Sequence, residues 1–218
     1  MSRPYDLIAF DWDGTLFDST GIIVRCIQEA VVDVGGQRPS NEQAAYVIGM
    51  ALGPALAHAA PDVPPAQYKA LGLRYRHHYA QHMHDIFLFD GVIPMLQDLK
   101  ANGVLLAVAT GKSRQGLNEA LGHVQLQGLF DDSRTADETA GKPDPLMLHE
   151  LMTAWGIPPE RTLMVGDTTH DLEMAYRAGC ASVGVSYGAH AHHTFDQWQP
   201  RWGAHSVAEL HEGLVNHG

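Results

Sequence analysis

Short apolar runs that stop at a polar residue recur along the chain and predict the strands of a sheet. The clearest cover residues 7–10, 103–109 and 162–165, with a weaker run at 181–185 and a short candidate near 133–135. Uninterrupted apolar runs of this length are typical of strands that are covered on both faces. The pattern therefore predicts a buried parallel sheet.

Apolar positions at steps of three and four residues predict helices between these strands. One pattern runs from Val92 to Lys100, and another begins at Asp171 and ends before Gly179. An acidic first turn and a glycine after the last turn are ordinary helix boundaries. The alternation of strand and helix predicts an α/β fold with a Rossmann-like, doubly wound parallel sheet.

The connection after the first strand is far too long for a simple crossover. About seventy residues separate Leu16 from Phe89, whereas typical connections have about two to six. Three helical patterns lie within it, at 22–34, 42–48 and 67–84. We therefore expect an all-α domain inserted at 17–88 into a core formed by 1–16 and 89–218.

Composition narrows the function classes. The chain has 218 residues, 45% hydrophobic and 18% charged residues, and a formal net charge of −11, which suits a folded globular protein. A negative surface without a Lys/Arg cluster argues against nucleic-acid binding. No stretch approaches the roughly 20 apolar residues of a membrane span, and the first residues lack the apolar core of a secretory signal. We expect no membrane partner and a cytoplasmic location.

The most informative polar segment follows the first predicted strand. Asp11 and Asp13 are separated by one residue and followed by Gly14 and Thr15. Open α/β sheets bind ligands at the carboxyl ends of their strands. Two carboxylates on one loop, beside a glycine that permits close backbone approach, suit a hard cation such as Mg²⁺.

Other strand ends carry matching chemistry. Asp167 follows the third strand, and Thr110 with Gly111 follows the second, where a hydroxyl and a backbone N–H can bind an anion. Lys142, one of four lysines, lies on a short loop and can serve as a phosphate counter-charge. Asp171 has two interpretations, a helix cap or a member of the site, and the pattern favours neither.

These four segments, in this order, resemble the motifs of the haloacid dehalogenase superfamily in its phosphatase branch. The resemblance to its phosphoglycolate-phosphatase-like members covers nearly the whole chain, and the helical insert lies where those enzymes carry a cap of the C1 type. It implies that Asp11 attacks phosphorus to form an aspartyl-phosphate, while Asp13 is general acid and base. Phosphoryl oxygens would be held by Thr110, Gly111 and Lys142.

The same resemblance implies a magnesium site and a small substrate. The Asp11 carboxylate, the Asp13 backbone carbonyl and Asp167 would hold Mg²⁺, while Asp171 would act through water or by orienting Lys142. The expected partner is a small phosphorylated metabolite, phosphoglycolate being the model. A monomer is expected by default, and a dimer stays open.

Two alternatives stay open at this stage. The first is a sugar phosphomutase like β-phosphoglucomutase, although such enzymes tend to have valine where this chain has Thr15. The second is a non-catalytic phospho-acceptor or metal-binding protein, although the intact acidic motifs argue against it. Dehalogenation is disfavoured, because dehalogenating members lack an aspartate at the position of Asp13.

Several remaining patterns do not define a further function. Thr110 to Ser113 reads like the end of a P-loop, but Leu106 occupies the position of the required first glycine. Arg25 or the Ile48–Gly49 loop are candidates for substrate contact, with a solvated helix face favoured for Arg25. The histidine clusters are expected to be solvated surface residues rather than a metal site; they comprise His77, His78, His82, His84, His190, His192 and His193.

Overall fold

The computed structural model describes residues 4–123, Leu126 and 128–217. These residues form one sheet of six parallel strands in the order β3-β2-β1-β4-β5-β6, the strand order of dinucleotide-binding folds. The strands are β1 Leu7–Phe10, β2 Leu105–Thr110, β3 Asp132–Thr135, β4 Thr162–Gly166, β5 Ala181–Val185 and β6 Trp202–Ala204. The predicted α/β fold with a parallel sheet is confirmed.

Both faces of the sheet are covered. Successive residues of a strand point to opposite faces, so neighbouring residues belong to different buried clusters. Ile8 and Phe10 belong to one buried cluster, and Leu7 and Ala9 to another. Nine α-helices lie in the described part of the chain: α1 Thr20–Asp33, α2 Asn41–Tyr46, α3 Leu52–Ala59, α4 Tyr68–His82, α5 Val92–Ala101, α6 Arg114–His123, α7 Leu146–Trp155, α8 Thr169–Ala178 and α9 Val207–His217. The first cluster includes residues of α5 and α9, and the second includes residues of α7 and α8.

Strand register brings the polar strand ends to one edge. In the parallel ladders, Phe10 is paired with Val108 of β2 and with Val165 of β4. The segments that leave these strands at their carboxyl ends therefore start at nearly the same level. Asp11, Thr110 and Asp167 meet there, although they are far apart in sequence.

Helices α1 to α4 form a helical unit with a separate core. Their buried cluster includes Ile27, Val31, Leu56 and Leu71, and α1 packs against α4. Two connecting segments join this unit to the rest of the protein, and Phe17 in one forms an antiparallel bridge with Leu88 in the other. These contacts agree with the boundaries at 16/17 and 88/89, and the division into domains stays a prediction. Within the described residues, no helix has both the length and the apolarity to cross a bilayer.

Candidate active site

A buried lysine joins two carboxylates at the centre of the sheet edge. Lys142 Nζ lies 2.5 Å from Asp11 Oδ1 and 2.6 Å from Asp171 Oδ1, and its side chain is fully buried. The Asp11 N–H donates to the Val165 carbonyl at 2.9 Å, which fixes the first residue after β1. Three sequence-predicted residues, contributed by three separate segments, are thus in direct contact.

The Asp11 carboxyl lies in an environment that disfavours its charge. Burial raises its pKa from 3.8 to about 7, against the attraction of Lys142, and the nearby Asp171 raises it further. Lys142 does favour the ionised form of Asp11, as expected, but desolvation outweighs it. Asp11 Oδ2 is buried and has no hydrogen-bond partner among the described residues. A second positive group beside Oδ2 would satisfy this oxygen.

Asp167 follows β4, and its carboxylate lies near that of Asp11. Its Oδ1 accepts from the Thr15 hydroxyl at 2.9 Å, and its Oδ2 accepts from the Ala189 N–H at 2.7 Å. Burial raises the pKa of Asp167 well above its usual range, and the neighbouring Asp11 adds to the effect. Gly14, at φ +83°, approaches so closely that a Cβ there would overlap the Asp167 carboxylate. The glycine after Asp13 is therefore required for both its backbone angle and its small size.

Asp171 combines the two roles that its sequence pattern left open. Its Oδ2 accepts from the N–H and the hydroxyl of Thr168, at 3.1 and 2.7 Å, in the capping box of α8. Its Oδ1 meanwhile contacts Lys142 at 2.6 Å. The helix cap holds this carboxylate rigidly, so Asp171 can in turn fix the position of the lysine.

The donor set fits a divalent cation. Carboxylate oxygens of Asp11, Asp167 and Asp171 lie within 4.8 Å of one another, and all three residues are buried. Hard oxygen ligands suit Mg²⁺ and Ca²⁺. A cation here would compensate the two carboxyl groups whose pKa values burial raises, and it would give Asp11 Oδ2 a partner.

Asp13 lies apart from this cluster and has two partners of its own. Its Oδ1 accepts from the Ser19 hydroxyl at 2.7 Å, and its Oδ2 lies 3.0 Å from Lys112 Nζ. Lys112 also donates to the Tyr79 hydroxyl at 2.9 Å. Asp13 and Lys112 belong to the sheet edge, whereas Tyr79 lies on α4 of the helical unit. Lys112 was not predicted as a site residue, although its position just after Thr110 and Gly111 was a usable signal.

The loop after β2 abuts the helical unit. The Thr110 hydroxyl is buried and accepts from the Lys112 N–H at 3.2 Å. A Cβ on Gly111 would lie 2.5 Å from the Met50 carbonyl oxygen. The backbone of this loop and that of the loop between α2 and α3 thus touch directly, in an arrangement that only glycine allows.

A cavity of about 320 Å³ lies between the helical unit and the sheet edge. Asp13 and Gly111 line it, and so do Ile48 and Gly49. Of the two candidates for substrate contact, the Ile48–Gly49 loop therefore lies at the cavity. Arg25 is solvent-exposed and pairs with Glu29 at 2.9 Å, as favoured for a solvated helix face.

One histidine departs from the expectation that the clusters are solvated. His190 is only 8% exposed, and burial lowers its pKa. Its Nδ1 accepts from the Thr169 N–H at 3.0 Å, which leaves Nε2 to donate to the Tyr46 carbonyl at 3.0 Å. His170 Nε2 contacts the same carbonyl at 2.8 Å. The prediction was wrong for His190, because the chain after β5 folds back over the start of α8.

Comparisons with known proteins agree with this geometry. The family model described as haloacid dehalogenase-like hydrolase matches residues 8–185. A phosphoglycolate phosphatase from Aliivibrio fischeri is 34% identical over 197 residues, covering 86% of this chain and 87% of that protein. A Mycobacterium tuberculosis protein named tyrosine-protein kinase PtkA is 33% identical over 193 residues, covering 84% of this chain and 62% of its own length.

The fold has a close counterpart among solved structures. A crystal structure from Haemophilus somnus, described as a predicted phosphoglycolate phosphatase, superposes with a TM-score of 0.86 at 27% sequence identity. The match covers 97% of this chain and 99% of that one. The helical insert and the parallel sheet are therefore shared along essentially the whole length.

Proposed function

The chain belongs to the haloacid dehalogenase-like hydrolases and is a phosphatase resembling phosphoglycolate phosphatase, and from this we propose that it hydrolyses small phosphate monoesters through an aspartyl-phosphate on Asp11. One observation carries the proposal: Lys142 is buried between Asp11 and Asp171, next to an Asp11 oxygen that has no hydrogen-bond partner among the described residues. A carboxylate nucleophile beside a fixed cation is suited to attack a phosphoryl dianion.

Charge neutralisation is the main requirement of this reaction. Lys142, the Thr110 hydroxyl and the Gly111 N–H would hold the three non-bridging oxygens, because all three groups belong to the edge that Asp11 occupies. Mg²⁺ would be held by the carboxylates of Asp11 and Asp167 with the backbone carbonyl of Asp13. Bound there, it neutralises charge on the nucleophile and on the phosphoryl oxygens.

The two half-reactions exchange one proton through Asp13. In the first, an Asp11 oxygen bonds to phosphorus while the bond to the leaving oxygen breaks, and Asp13 gives its proton to that oxygen. In the second, Asp13 takes a proton from water, whose oxygen attacks phosphorus and releases Asp11 with inorganic phosphate. Ser19 and Lys112, at 2.7 and 3.0 Å from its two oxygens, orient Asp13 for both transfers.

Substrate access would require the helical unit to move. Asp11 is 1% exposed, and the loop at Gly49–Met50 touches Gly111. The described conformation is therefore closed over the nucleophile. Opening at the paired segments near Phe17 and Leu88 would admit the substrate, and closure would exclude water, as lids of this kind do. The cytoplasmic location and the monomeric state stay predictions.

The experiment that tests this proposal separates the two half-reactions. p-Nitrophenyl phosphate has a leaving group that needs little protonation, whereas an alkyl phosphate needs the acid. With Mg²⁺ and p-nitrophenyl phosphate, Asp13→Asn should accumulate a protein heavier by one phosphoryl group, detected by intact mass after acid quench. With an alkyl phosphate it should not. Asp11→Asn should neither gain this mass nor turn over, while the exposed Asp18→Asn should behave as wild type.

Two outcomes would contradict the proposal. Turnover by Asp11→Asn at the wild-type rate would exclude Asp11 as nucleophile. Equal hydrolysis of alkyl phosphates by wild type and by Asp13→Asn would exclude the acid/base role of Asp13.

A further inference from the structure

The cavity beside Asp13 has mostly apolar walls. Helices α1, α3 and α4 contribute to it, together with the residues that follow α4. Its apolar lining includes Ile23, Ile27, Met50, Leu56, Tyr75 and Met83. The cavity also reaches Gly111 and Asp13, whose proposed roles are binding of a phosphoryl oxygen and donation of a proton. The part of a substrate beyond its leaving oxygen would therefore lie against hydrocarbon.

The charged groups around the cavity do not favour a carboxylate. Lys112 lines it, but this ammonium is already paired with Asp13 and bonded to the Tyr79 hydroxyl. Arg76 also lines it but is solvent-exposed. Of the two acidic side chains at the cavity, Asp13 is paired with Lys112, and Glu119 is solvent-exposed like Arg76. The charges around the cavity therefore balance, and an anionic leaving group would meet a mainly apolar wall.

The cavity is also much larger than a two-carbon acid requires. A cavity of about 150 Å³ with apolar walls binds benzene, and this one measures about 320 Å³. Water in the unfilled part would contact aliphatic side chains, and an apolar group that replaced it would gain the hydrophobic free energy.

We infer that the leaving group of the natural substrate is an apolar alcohol, aliphatic or aromatic, about the size of a hexyl or benzyl group. The inference rests on the proposed phosphatase function and narrows its substrate class. Recognition of the phosphoryl group stays with the sheet edge, and selection among alcohols comes from the helical unit.

A series of alkyl phosphates tests this inference directly. Methyl, ethyl, butyl and hexyl phosphate present similar leaving oxygens, so their kcat/KM values report mainly on burial of the chain. Each added methylene should raise kcat/KM about fourfold, the factor expected for burying one CH₂. Benzyl phosphate should exceed 2-phosphoglycolate by at least about tenfold, the lower end for a well-fitted apolar group. A flat series, or 2-phosphoglycolate as the better substrate, would overturn the inference.

A matched pair of variants locates the effect. Met83→Gln keeps the length of the side chain but introduces an amide into the cavity wall. The loss of kcat/KM in Met83→Gln should grow with the chain length of the substrate and be largest for hexyl phosphate. Met83→Leu should restore the slope, that is, the rise in kcat/KM with each added methylene. Leu73→Gln makes a comparable change on the exposed part of α4, where Leu73 is 57% exposed, and should keep the wild-type slope. Thermal melts establish that the variants are folded.

The outcomes distinguish this inference from the function on which it rests. Hydrolysis of 2-phosphoglycolate in preference to every alkyl and benzyl ester would leave the phosphatase proposal intact and overturn the substrate class. Absence of hydrolysis with every ester, p-nitrophenyl phosphate included, would overturn both. An equal loss for all chain lengths in Met83→Gln would show that the residue acts on the fold rather than on the alcohol.

Discussion

The charge of Asp11 should destabilise the metal-free protein at neutral pH, and removing it should have the opposite effect. Burial raises the pKa of Asp11 from 3.8 to about 7. Between these values the unfolded chain releases the proton while the folded chain retains it. The free energy of unfolding therefore falls as pH rises through this window and levels off above it. Asp11→Asn keeps an oxygen for Lys142 but cannot ionise.

The size of the effect follows from the two pKa values. A change from 3.8 to about 7 corresponds to about 4 kcal/mol, because each pH unit of difference is worth about 1.4 kcal/mol. Relaxation of the site around the charge reduces this, so we expect Asp11→Asn to be about 2–4 kcal/mol more stable at pH 8. For a chain of this length each kcal/mol moves Tm by about 2–4 °C, which gives roughly 5–15 °C.

Thermal melts in EDTA at pH 4 and pH 8 provide the assay. The variant and wild type should agree near pH 4 and separate at pH 8. Burial also raises the pKa of Asp167. The free energy of unfolding of the variant should therefore still fall as pH rises, but less steeply than that of wild type. Asp18→Asn removes an exposed carboxylate and should follow wild type at both values. A variant that melts at or below the wild-type temperature at pH 8 would refute the electrostatic reasoning.

Three further substitutions test contacts at the sheet edge around Asp11, Asp13 and the loop after β2. Lys142→Met leaves two buried carboxylates without their cation, and should cost about 3–5 kcal/mol in urea denaturation at pH 8 but less at pH 5, where Asp11 takes up a proton. Lys112→Met frees Asp13 on one side and should lower kcat/KM roughly 10²-fold in steady-state kinetics, the usual cost of a misplaced catalytic group. Gly111→Ala places a Cβ 2.5 Å from the Met50 carbonyl oxygen, and should lower kcat/KM by a similar factor.

Each substitution has a control within the same chain. Lys100→Met removes a half-buried ammonium that pairs with Asp131 at 2.9 Å and donates to the Leu129 carbonyl at 3.0 Å. These contacts lie beside the amino end of β3, away from the sheet edge that holds Asp11, so kcat/KM should stay within about twofold of wild type. Gly122→Ala adds a methyl group that has nothing within 4 Å among the described residues, and should stabilise α6 by a few tenths to about 1 kcal/mol. Equal losses in variant and control, or an equal Lys142→Met cost at both pH values, would contradict the assigned contacts.

The strands were predictable because their apolar runs are unambiguous. β1, β4 and β5 fall at the predicted runs, and β3 appears at the short candidate near 133–135. The sequence placed β2 at 103–109, whereas it runs from Leu105 to Thr110. Gly103 has φ +77°, a left-handed angle that a regular strand does not adopt. The strand therefore starts two residues later than the apolar run.

Other elements carry weaker signals. β6 has three residues at the edge of the sheet, two of them only partly buried, so alternation cannot be read from it. α6 buries Leu117 among polar residues and contains two glycines. α3 has Pro54 in its first turn. A helix tolerates proline at this position, but the proline weakens the helical signal in the sequence. Tertiary packing, rather than local pattern, stabilises these segments.

Within the site, the sequence predicted which residues belong to it better than it predicted which residues contact one another. Asp11 and Asp167 were expected together because both follow strands of one sheet, and Lys142, on a loop, was expected as the phosphate counter-charge beside them. The structure brings the three together. Lys112 was not predicted as a site residue, because its segment resembles a P-loop that lacks the first glycine. Its partner Tyr79 is on α4, whose orientation no local pattern specifies.

Contact between Lys112, Asp13 and Tyr79 would give the helical unit a direct influence on the proposed proton transfer. When the unit lies closed, the Tyr79 hydroxyl accepts from Lys112 Nζ at 2.9 Å, and this ammonium holds one Asp13 oxygen at 3.0 Å. If the unit opens, Tyr79 moves away with α4 while Asp13 and Lys112 remain on the sheet edge. The acid is then held on one side by a lysine that has lost one of its own constraints. Under the proposed mechanism, Asp13 would be best oriented only when the cavity is closed over an alcohol that fits it, so the fit of the leaving group and the transfer of its proton would depend on the same contact.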